Sequence, residues 1–485
     1  MKNALVWLVF LVFVSTSGAA TYFFRNDTAS EDPNNWQNPL NWLDSYLNPS
    51  NMVPLATDSA SFTWKDFKCY LDTPTTIRYL YCPYDGRGGQ FIINEGGILT
   101  VTKSWGICTI AGSKGIIDVN DLGVVNLTAV NATVALTVDN EGVLNVRGTV
   151  TSPRDVYVSY GLPDIEGVFY GPSTLNVKGD GKFQVRNINI GVLANPHTGI
   201  INITDANAYL SCSSSFCAGN GGKAIVDINN GLLECALFIA PYGLPDPETG
   251  AQYADANVVL RGDGRLVVHG GYSMSMIDGS ETGKLTINDN AVLKCYDFVA
   301  GQGGAATVNM NGGLLDCNSF YLTQFTGTPN PKCNINLFGG TINVKLVWAH
   351  GFGSKRYYDT YGNDNAHVDI RNDGKLVVPY PQWPEMVEDV NLGIIKAYGG
   401  EGFVKILPDA ASNTCTLTAC MDDVAGDVTG DCFVDYDDIT VLAMNWLSEA
   451  INPANVNEDL ETNFEDYAII ASDWLLTEEE FIENQ

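Results

Sequence analysis

Two stretches near the carboxyl terminus place oxygen-bearing side chains at alternate positions, a spacing suited to binding a hard cation. In the first stretch, positions 1, 3, 5, 7, 9 and 12 of a calcium-loop spacing hold Asp427, Thr429, Asp431, Phe433, Asp435 and Asp438. In a second copy, the same positions hold Asn455, Asn457, Asp459, Glu461, Asn463 and Asp466. Such loops bind calcium through side-chain oxygens and the backbone carbonyl of position 7. The sequence therefore predicts two Ca2+ sites, of which the second is weaker because Asp459 and Asp466 are its only charged side-chain ligands, position 7 contributing its backbone carbonyl.

Each loop is followed by a segment with the periodicity of an amphipathic helix. The apolar positions are spaced i, i+3, i+4 and i+7: Ile439, Leu442, Ala443 and Trp446 after the first loop, and Tyr467, Ile470, Ala471 and Trp474 after the second. This spacing gives each helix one apolar face. Two such faces predict the core of a small domain over 425–485, which is not robust without its metals.

The duplicated loop and helix resemble the type I dockerin domain, over about residues 425–476. The resemblance rests on the loop spacing, the duplication and the Trp-Leu pair that ends both halves. It implies two bound calcium ions and docking onto a cohesin-like domain or another surface scaffold. In the family, positions 10 and 11 of each loop set the choice of partner. Here these positions hold Tyr436 with Asp437 and Phe464 with Glu465, where the family has small hydroxyl residues.

Between about residues 91 and 407, one short pattern recurs eleven times around a turn residue that is usually glycine. The anchors are Gly97, Gly123, Gly142, Gly181, Ala208, Gly231, Gly264, Ala291, Gly313, Gly340 and Gly374. Two residues after each anchor stand Leu99, Val125, Leu144, Phe183, Leu210, Leu233, Leu266, Leu293, Leu315, Ile342 and Leu376. Four residues after it stand Val101, Leu127, Val146, Val185, Cys212, Cys235, Val268, Cys295, Cys317, Val344 and Val378. Both positions are apolar without exception.

This alternation with a period of two predicts short strands with one buried face. A second alternating pair precedes most anchors and a third apolar burst follows most of them, such as Phe298 with Ala300. One such unit cannot bury its inward face alone, so successive units must stack. The predicted fold is mainly β, with a parallel β-solenoid of about eleven coils over 91–410; a sandwich of hairpins is the alternative. The pattern resembles the right-handed β-helix and autotransporter-like repeats of secreted bacterial proteins, and only that resemblance implies the handedness.

The amino terminus and the charge of the chain indicate an exported protein. Residues 1–20 combine Lys2, an apolar run and small residues up to Ala20, which is the layout of a secretory signal peptide. The apolar run is too short to span a bilayer, and a membrane anchor is the alternative. The formal charge is −30, so we expect no nucleic-acid partner, because phosphate binding needs clustered basic residues. The expected location is extracellular or on the cell surface, with no transmembrane span in the mature chain.

Segments on either side of the repeats complete the predicted domain organisation. Residues 21–90 are predicted to form an amino-terminal cap and a first irregular coil, since an open end of the repeats would expose unpaired backbone groups. We expect Trp36, Trp42 and Trp64 to be buried in this cap; stacking on sugars is the alternative. A polar linker is predicted over 411–424, between the repeats and the carboxyl-terminal module.

Three coils carry long insertions, over 152–173, 241–256 and 350–366. All follow the third strand of their coil, so we expect them to project from one edge of the repeats. Their tyrosines are candidates for sugar contact: Tyr160, Tyr242, Tyr357, Tyr358 and Tyr361. Rings beside acidic groups suit a carbohydrate ligand. The alternative is that these loops fold back with their rings half buried.

The twelve cysteines of an exported chain permit disulfide bonds. The spacing allows four pairings within the cap and repeats: Cys212 with Cys235, Cys295 with Cys317, Cys212 with Cys217, and Cys69 with Cys82. The inward column equally suits small buried thiols, so bridged and free forms both remain open. At position 6 of the first calcium loop, Cys432 stands where the dockerin family has glycine, and its partner is Cys420 or Cys415.

The repeats do not display a catalytic pair of carboxylates. Glu234 and Asp316 share an outward column but are three coils apart, roughly 14 Å at ~4.8 Å per coil. Sugar hydrolysis requires carboxylates about 5 to 9.5 Å apart. We therefore expect an exported, non-catalytic scaffold or carbohydrate-associated surface protein, held to a partner by the dockerin-like module. The alternative is a β-helix polysaccharide lyase or glycoside hydrolase of polysaccharide catabolism, delivered by the same module.

Overall fold

The computed structural model divides the chain into two compact units. Unit 1 comprises Met1–Val226, Gly231–Cys235 and Leu244–Tyr253, and unit 2 comprises Asp227–Asn230, Ala236–Gly243 and Ala254–Gln485. The residues that the structure describes are 20–25, 32–62, 67–82, 89–107, 114–128, 136–138, 141–160, 172–192, 198–241, 254–274, 282–301, 305–323, 333–351, 366–421, 426–448, 452–457, 459 and 461–474. Residues 1–19 of the predicted signal peptide, half of the insertion 152–173 and most of the other two insertions lie outside them.

Unit 1 consists mainly of short β-strands. They are Thr21–Phe24, Trp42–Leu43, Ser59–Phe62, Phe67–Leu71, Thr75–Cys82, Gly89–Ile93, Ile98–Ile107, Lys114–Val119, Val124–Leu127, Leu136–Val138, Glu141–Val146, Thr149–Thr151, Asp155–Tyr160, Ser173–Lys178, Lys182–Val185, Asn187–Val192, Thr198–Thr204 and Tyr209–Ala218. Two more strands, Lys223–Asn229 and Leu232–Ala240, divide their residues between the units. Most pairings of unit 1 are parallel, and all except the antiparallel pair of Thr21–Phe24 with Trp42–Leu43 join a strand to one that lies two or three strands later in the chain. Parallel partners are thus one sequence repeat apart.

The inward column of unit 1 follows the predicted repeat closely. Register partners run in the order Leu99, Val125, Val150, Phe183 and Leu210. All five side chains are fully buried. Each therefore packs against the equivalent residue of the next repeat, as the alternation predicts.

One predicted anchor, Gly142, is wrong. It lies inside the strand Glu141–Val146, and Leu144 pairs with Ile117 and Leu175 in a different column. The turn is at Gly148, where an added Cβ would lie 2.2 Å from the carbonyl oxygen of Gly123. Both glycines are followed by an apolar residue two positions on, so the sequence pattern alone does not separate them.

An aromatic cluster fills the first part of unit 1. Trp36 and Trp42 are fully buried, with ring centroids 4.7 Å apart, and the Trp42 indole N–H donates to the Trp36 carbonyl at 2.8 Å. Phe91 lies 5.3 Å from the Trp36 ring, and Phe24 lies 5.2 Å from the Trp42 ring. The prediction that these two tryptophans are buried is confirmed, so neither presents its ring to a sugar, while Trp64 lies outside the described residues.

Unit 2 combines strands with three α-helices among its described residues. The strands are Asp255–Arg261, Arg265–Val268, Gly271–Met274, Thr282–Ile287, Val292–Gly301, Ala305–Thr323, Cys333–Gly351, Ala366–Ile370, Lys375–Pro379, Ile395–Ala397, Phe403–Asp409 and Thr414–Cys420. The helices are α1, Trp383–Asn391; α2, Tyr436–Met444; and α3, Phe464–Ser472. Short 3-10 turns cover Pro39–Asn41 in unit 1, and Tyr380–Gln382 and Tyr398–Gly400 in unit 2. The described chain is thus mainly β, with largely parallel pairing, as predicted.

In unit 2, buried rings at equivalent positions of successive repeats form a continuous stack. The stacked side chains are Phe238, Tyr272, Phe298, Phe320 and Trp348, with successive ring centroids 4.8, 5.1, 5.0 and 5.0 Å apart. Alongside them, Leu266, Leu293 and Leu315 are register partners in a neighbouring column. Identical positions of successive repeats therefore meet in the interior.

Part of the segment predicted as a linker is a strand instead. Thr414–Cys420 pairs antiparallel with both Lys375–Pro379 and Phe403–Asp409. Its inward residues Cys415, Leu417 and Ala419 are buried, which explains why this polar-looking stretch extends the sheet.

Candidate functional site

The helices that follow the two predicted calcium loops begin in the same way. The side-chain oxygens of Asp435 and Asn463 accept from the backbone N–H two residues on, at 2.8 and 2.7 Å. Three residues after these caps, Asp438 and Asp466 accept from the N–H of the cap residue, at 2.7 and 2.8 Å. Each pair is a capping box. The duplication in the sequence is therefore also a duplication in the structure.

Position 12 of each loop ties the start of the loop to the start of its helix. Asp438 is fully buried, and its Oδ1 accepts from the backbone N–H groups of Val428 and Thr429 at 2.8 and 3.0 Å. Asp466 is also fully buried and accepts from the equivalent N–H pair of the second loop, at 2.6 and 3.2 Å. Burying a carboxylate is costly unless it is hydrogen-bonded, so these donors are what keeps both residues inside.

Position 1 of the first loop is a second buried carboxylate. Asp427 accepts from the backbone N–H groups of Gly430 and Cys432, at 2.7 and 2.9 Å. Burial raises the pKa of the Asp427 carboxyl; the nearby Asp438 adds to this rise, while the backbone donors oppose it. A bound cation would favour the ionised form of both acids. The first loop thus has a donor set whose charge a calcium ion would balance.

The remaining side chains of the first loop bond mostly within the loop. Thr429 donates its hydroxyl to Asp427 at 3.3 Å, and Asp431 accepts from the Phe433 N–H at 3.0 Å. Among the described residues, one set of three acidic, cysteine or histidine side chains brings its ligand atoms within 4.8 Å of one another, namely Cys420, Asp427 and Cys432. No three carboxylates of the first loop come this close together in the described structure.

The second loop holds a buried oxygen that has no hydrogen-bond partner. This atom is Oδ1 of Asn455, at position 1. Asn457 and Asp459 accept backbone N–H groups two residues on, at 3.1 and 2.9 Å. An unsatisfied buried polar atom costs roughly 1–3 kcal/mol, and a cation that prefers oxygen ligands would remove this cost. The residues present therefore fit calcium in the second loop as well.

Cys432 takes the place of the glycine that the dockerin resemblance leads one to expect at position 6. Its φ is 71°, in the left-handed region that glycine adopts most readily. A disulfide joins it to Cys420, with the two Cα atoms 5.4 Å apart. Of the two predicted partners, Cys420 is therefore the one used, and Cys415 is a buried free thiol. The bridge fixes the first loop to the strand Thr414–Cys420.

The core of the carboxyl-terminal module differs from the predicted pair of helix faces. Its buried residues are Val428, Val434, Leu442, Ala454 and Ile470, of which only Leu442 and Ile470 belong to helices. Ile439 and Trp474 are partly buried against this core, as predicted. Ala443, Ala471, Tyr467 and Trp446 are exposed. The loops supply the rest of the core, which helical spacing does not reveal.

Two exposed aromatic pairs link the halves of the module. Tyr436 at position 10 of the first loop lies 5.1 Å from the Trp474 ring, and Phe464 at position 10 of the second lies 4.8 Å from the Trp446 ring. Tyr436 is 78% exposed and Phe464 is 75% exposed. Position 10 of each half thus presents an aromatic surface supported by the other half.

The cysteine pairs predicted within the repeats are free thiols in this structure. Cys295 and Cys317 are register partners, and burial raises the pKa of the Cys295 thiol. Cys212, Cys217 and Cys235 are also buried and unbridged, and burial raises the pKa of Cys217 to about 11. These thiols act as small apolar side chains of the core at neutral pH.

The other predicted positions lie wholly or partly outside the described residues. Tyr160 ends the strand Asp155–Tyr160, but its side chain is not among those described. The remaining candidate tyrosines, Tyr242, Tyr357, Tyr358 and Tyr361, lie outside the described residues. The same holds for the side chain of Cys82, the predicted partner of Cys69.

The α-helices of the described chain are short, with nine residues each. Within the described residues, none has both the length and the apolar character needed to cross a membrane. No protein-family model, curated protein or solved structure matches this chain.

Proposed function

We propose that the repeats form a right-handed parallel β-helix of about eleven coils and that this helix is a scaffold. In support, each unit pairs strands in parallel with strands one repeat later, and buries equivalent residues against each other. Such stacking gives a long, regular surface on which exposed side chains recur at fixed intervals of roughly 4.8 Å. A surface of this kind suits display or attachment.

The carboxyl-terminal module is proposed to be a dockerin-like domain that attaches the scaffold to a partner. The observation that carries this proposal is the repeated bonding of Asp438 and Asp466, each buried and each joining its loop to its helix. Calcium would be held by the residues at positions 1, 3, 5, 7, 9 and 12 of each loop. Metal binding there contributes to folding, because the core of the described part of the module consists of five small or medium-sized buried apolar residues.

The partner surface is proposed to include position 10 of both halves. Tyr436 and Phe464 are highly exposed, and the ring of each contacts a tryptophan ring of the other half. Rigid aromatic side chains on a supported surface are typical anchors of protein interfaces. Their size differs from that of small hydroxyl residues, so the partner should offer apolar pockets. An exported cohesin-like domain is the class of partner that fits best.

The overall proposal is an exported, non-catalytic, carbohydrate-associated scaffold whose tail docks in a calcium-dependent way. An immobilised type I cohesin domain, with calcium and then with a chelator, tests the docking. We expect the full chain to be retained in calcium and released by the chelator. Replacing both Tyr436 and Phe464 by alanine should weaken retention at least about tenfold, the loss expected when interface anchors are removed. The matched control is Tyr46→Ala, which changes an exposed tyrosine in unit 1.

Two outcomes would contradict this proposal. Retention that is unaffected by the chelator would show that docking does not use the calcium loops. Release of reducing ends or unsaturated sugars from polysaccharides by the purified chain would show that the repeats are catalytic. The helix content of the Tyr436→Ala, Phe464→Ala variant is measured in calcium as a control. Unchanged helix content means that weaker retention comes from the lost aromatic side chains and not from unfolding of the module.

A further inference from the structure

A polar cavity of about 210 Å³ lies in unit 1. It is lined by Asp118, Val119, Asn120, Asn145, Arg147 and Lys178. These residues come from the ends of three strands that pair in parallel and in register: Lys114–Val119, Glu141–Val146 and Ser173–Lys178. The lining is therefore set by the regular repeat and does not depend on a loop.

One wall of the cavity is fixed by a ladder of amide side chains. Asn145 donates to Asp118 at 2.7 Å, Asn176 donates to Asn145 at 2.8 Å, and Asn202 donates to Asn176 at 2.8 Å. Gln90 donates to the other carboxylate oxygen of Asp118. Because each side chain is held by its neighbour, this wall is ordered before any ligand arrives, which lowers the entropy cost of binding.

Two cations lie side by side at this cavity. Arg147 and Lys178 directly follow the register partners Val146 and Val177, so they occupy the same position on neighbouring strands, roughly 4.8 Å apart along the backbone. Among the described residues, neither side chain has an ion pair or hydrogen bond. Like charges at neighbouring strand positions repel. In a chain with a formal charge of −30, an unpaired pair of cations points to a negatively charged ligand.

The carboxylate of Asp118 restricts which negatively charged ligands would fit this cavity. A bare anion would be repelled by Asp118, whereas a ligand with hydroxyl groups could donate hydrogen bonds to it. The guanidinium of Arg147 matches the planar pair of oxygens on a carboxylate or sulfate. A ligand that carries both an anionic group and neighbouring hydroxyls satisfies all three residues.

We propose that the cavity formed by Asp118, Asn145, Arg147 and Lys178 binds an acidic saccharide residue, a uronate or a sulfated sugar, of a longer glycan. Arg147 and Lys178 would hold the anionic group, while Asp118 and Asn120 would bond to hydroxyls. This inference goes beyond the docking function, because the cavity lies in unit 1 and uses no calcium. It also identifies the kind of carbohydrate with which the scaffold associates.

Calorimetric titration of the full chain tests the proposal, with oligogalacturonate, a sulfated galactan oligosaccharide, a neutral galactan oligosaccharide and inorganic sulfate as separate probes. We expect at least one acidic oligosaccharide to bind about tenfold or more tightly than the neutral one, the effect of one charge-assisted hydrogen bond. The first two probes distinguish a uronate from a sulfate ester. The double variant Arg147→Gln with Lys178→Gln should lose this preference. Lys182→Gln, which changes an exposed lysine on a neighbouring strand, should leave it unchanged.

The variant Asp118→Asn separates a sugar from a bare anion. We expect it to weaken binding of the acidic oligosaccharide, because a carboxylate that accepts hydroxyl hydrogens is lost. The proposal is overturned if neither acidic oligosaccharide binds or if the double variant binds as well as the original chain. It is also overturned if inorganic sulfate binds as tightly as the acidic oligosaccharide. The same holds if Asp118→Asn strengthens the binding of both inorganic sulfate and the acidic oligosaccharide. A circular dichroism spectrum of each variant checks that the strands are retained.

Discussion

Replacing Asp438 by alanine is expected to unfold the carboxyl-terminal module within an otherwise folded chain. The Asp438 carboxylate is fully buried and accepts from the N–H groups of Val428, Thr429 and Asp435, at 2.8, 3.0 and 2.7 Å. Its loss leaves three donors without a partner, at roughly 1–3 kcal/mol each when buried. A small module has only a few kcal/mol of stability to lose. Limited proteolysis with mass spectrometry should then show rapid cleavage between 426 and 474.

The neighbouring acid Asp437 provides the control for this experiment. Asp437 is exposed, and alanine in its place removes the same charge from the first turn of α2 without disturbing the buried donors. We expect Asp437→Ala to be cleaved no faster than the original chain. If Asp438→Ala were equally resistant, the buried carboxylate would not be the link between loop and helix. The equivalent change at Asp466 should reproduce the effect in the second half.

Replacing Phe298 by alanine is expected to destabilise unit 2 by about 3–5 kcal/mol, the usual cost of truncating a buried aromatic residue. Phe298 is fully buried, with the rings of Tyr272 and Phe320 stacked on either side at 5.1 and 5.0 Å. Its removal leaves a cavity in the middle of the stack and breaks two ring contacts, each worth roughly 0.5–1.5 kcal/mol beyond the area they bury. The urea concentration at the midpoint of unfolding of unit 2, followed by hydrogen exchange of the strand Val292–Gly301, should fall.

A matched change on the same strand separates packing from strand propensity. Tyr296 is 52% exposed, so Tyr296→Ala removes an aromatic residue from the strand without opening a cavity. We expect a change of less than about 1 kcal/mol for this variant. Equal shifts of the midpoint for Phe298→Ala and Tyr296→Ala would mean that the ring stack does not stabilise the unit.

The repeats could be predicted from the sequence because their signal is local. Alternation predicts the strands, and fixed offsets from a glycine predict the columns, so the sequence places Val125 and Phe183 in one interior column, and their register confirms it. The error at Gly142 arose because two glycines six residues apart each precede an apolar residue by two positions. Only the pairing partners of Leu144 and Val150 separate them.

The ring stack and the module core could not be predicted in the same way. The third strand was visible as apolar bursts, but stacking of Phe298 on Tyr272 depends on the register between strands. In the module, Val434 and Ala454 enter the core from loops, where no periodicity marks a buried face. The cavity beside Arg147 was missed because its residues are outward-facing and separated by whole repeats. The sequence signal for this cavity is a pair of basic residues at equivalent positions of successive repeats, beside a column of acidic and amide residues.

Hydrogen exchange of the full chain, with calcium and after chelation, tests most directly the claim that a metal-ordered tail is joined to a self-supporting stack of strands. We predict that calcium slows exchange at the amides that bond to the two position-12 carboxylates, those of Val428, Thr429, Val456 and Asn457. Exchange in the strands Val292–Gly301 and Lys182–Val185 should stay the same. Equal exchange of the tail amides with and without calcium, or loss of protection in the strands on chelation, would contradict the account.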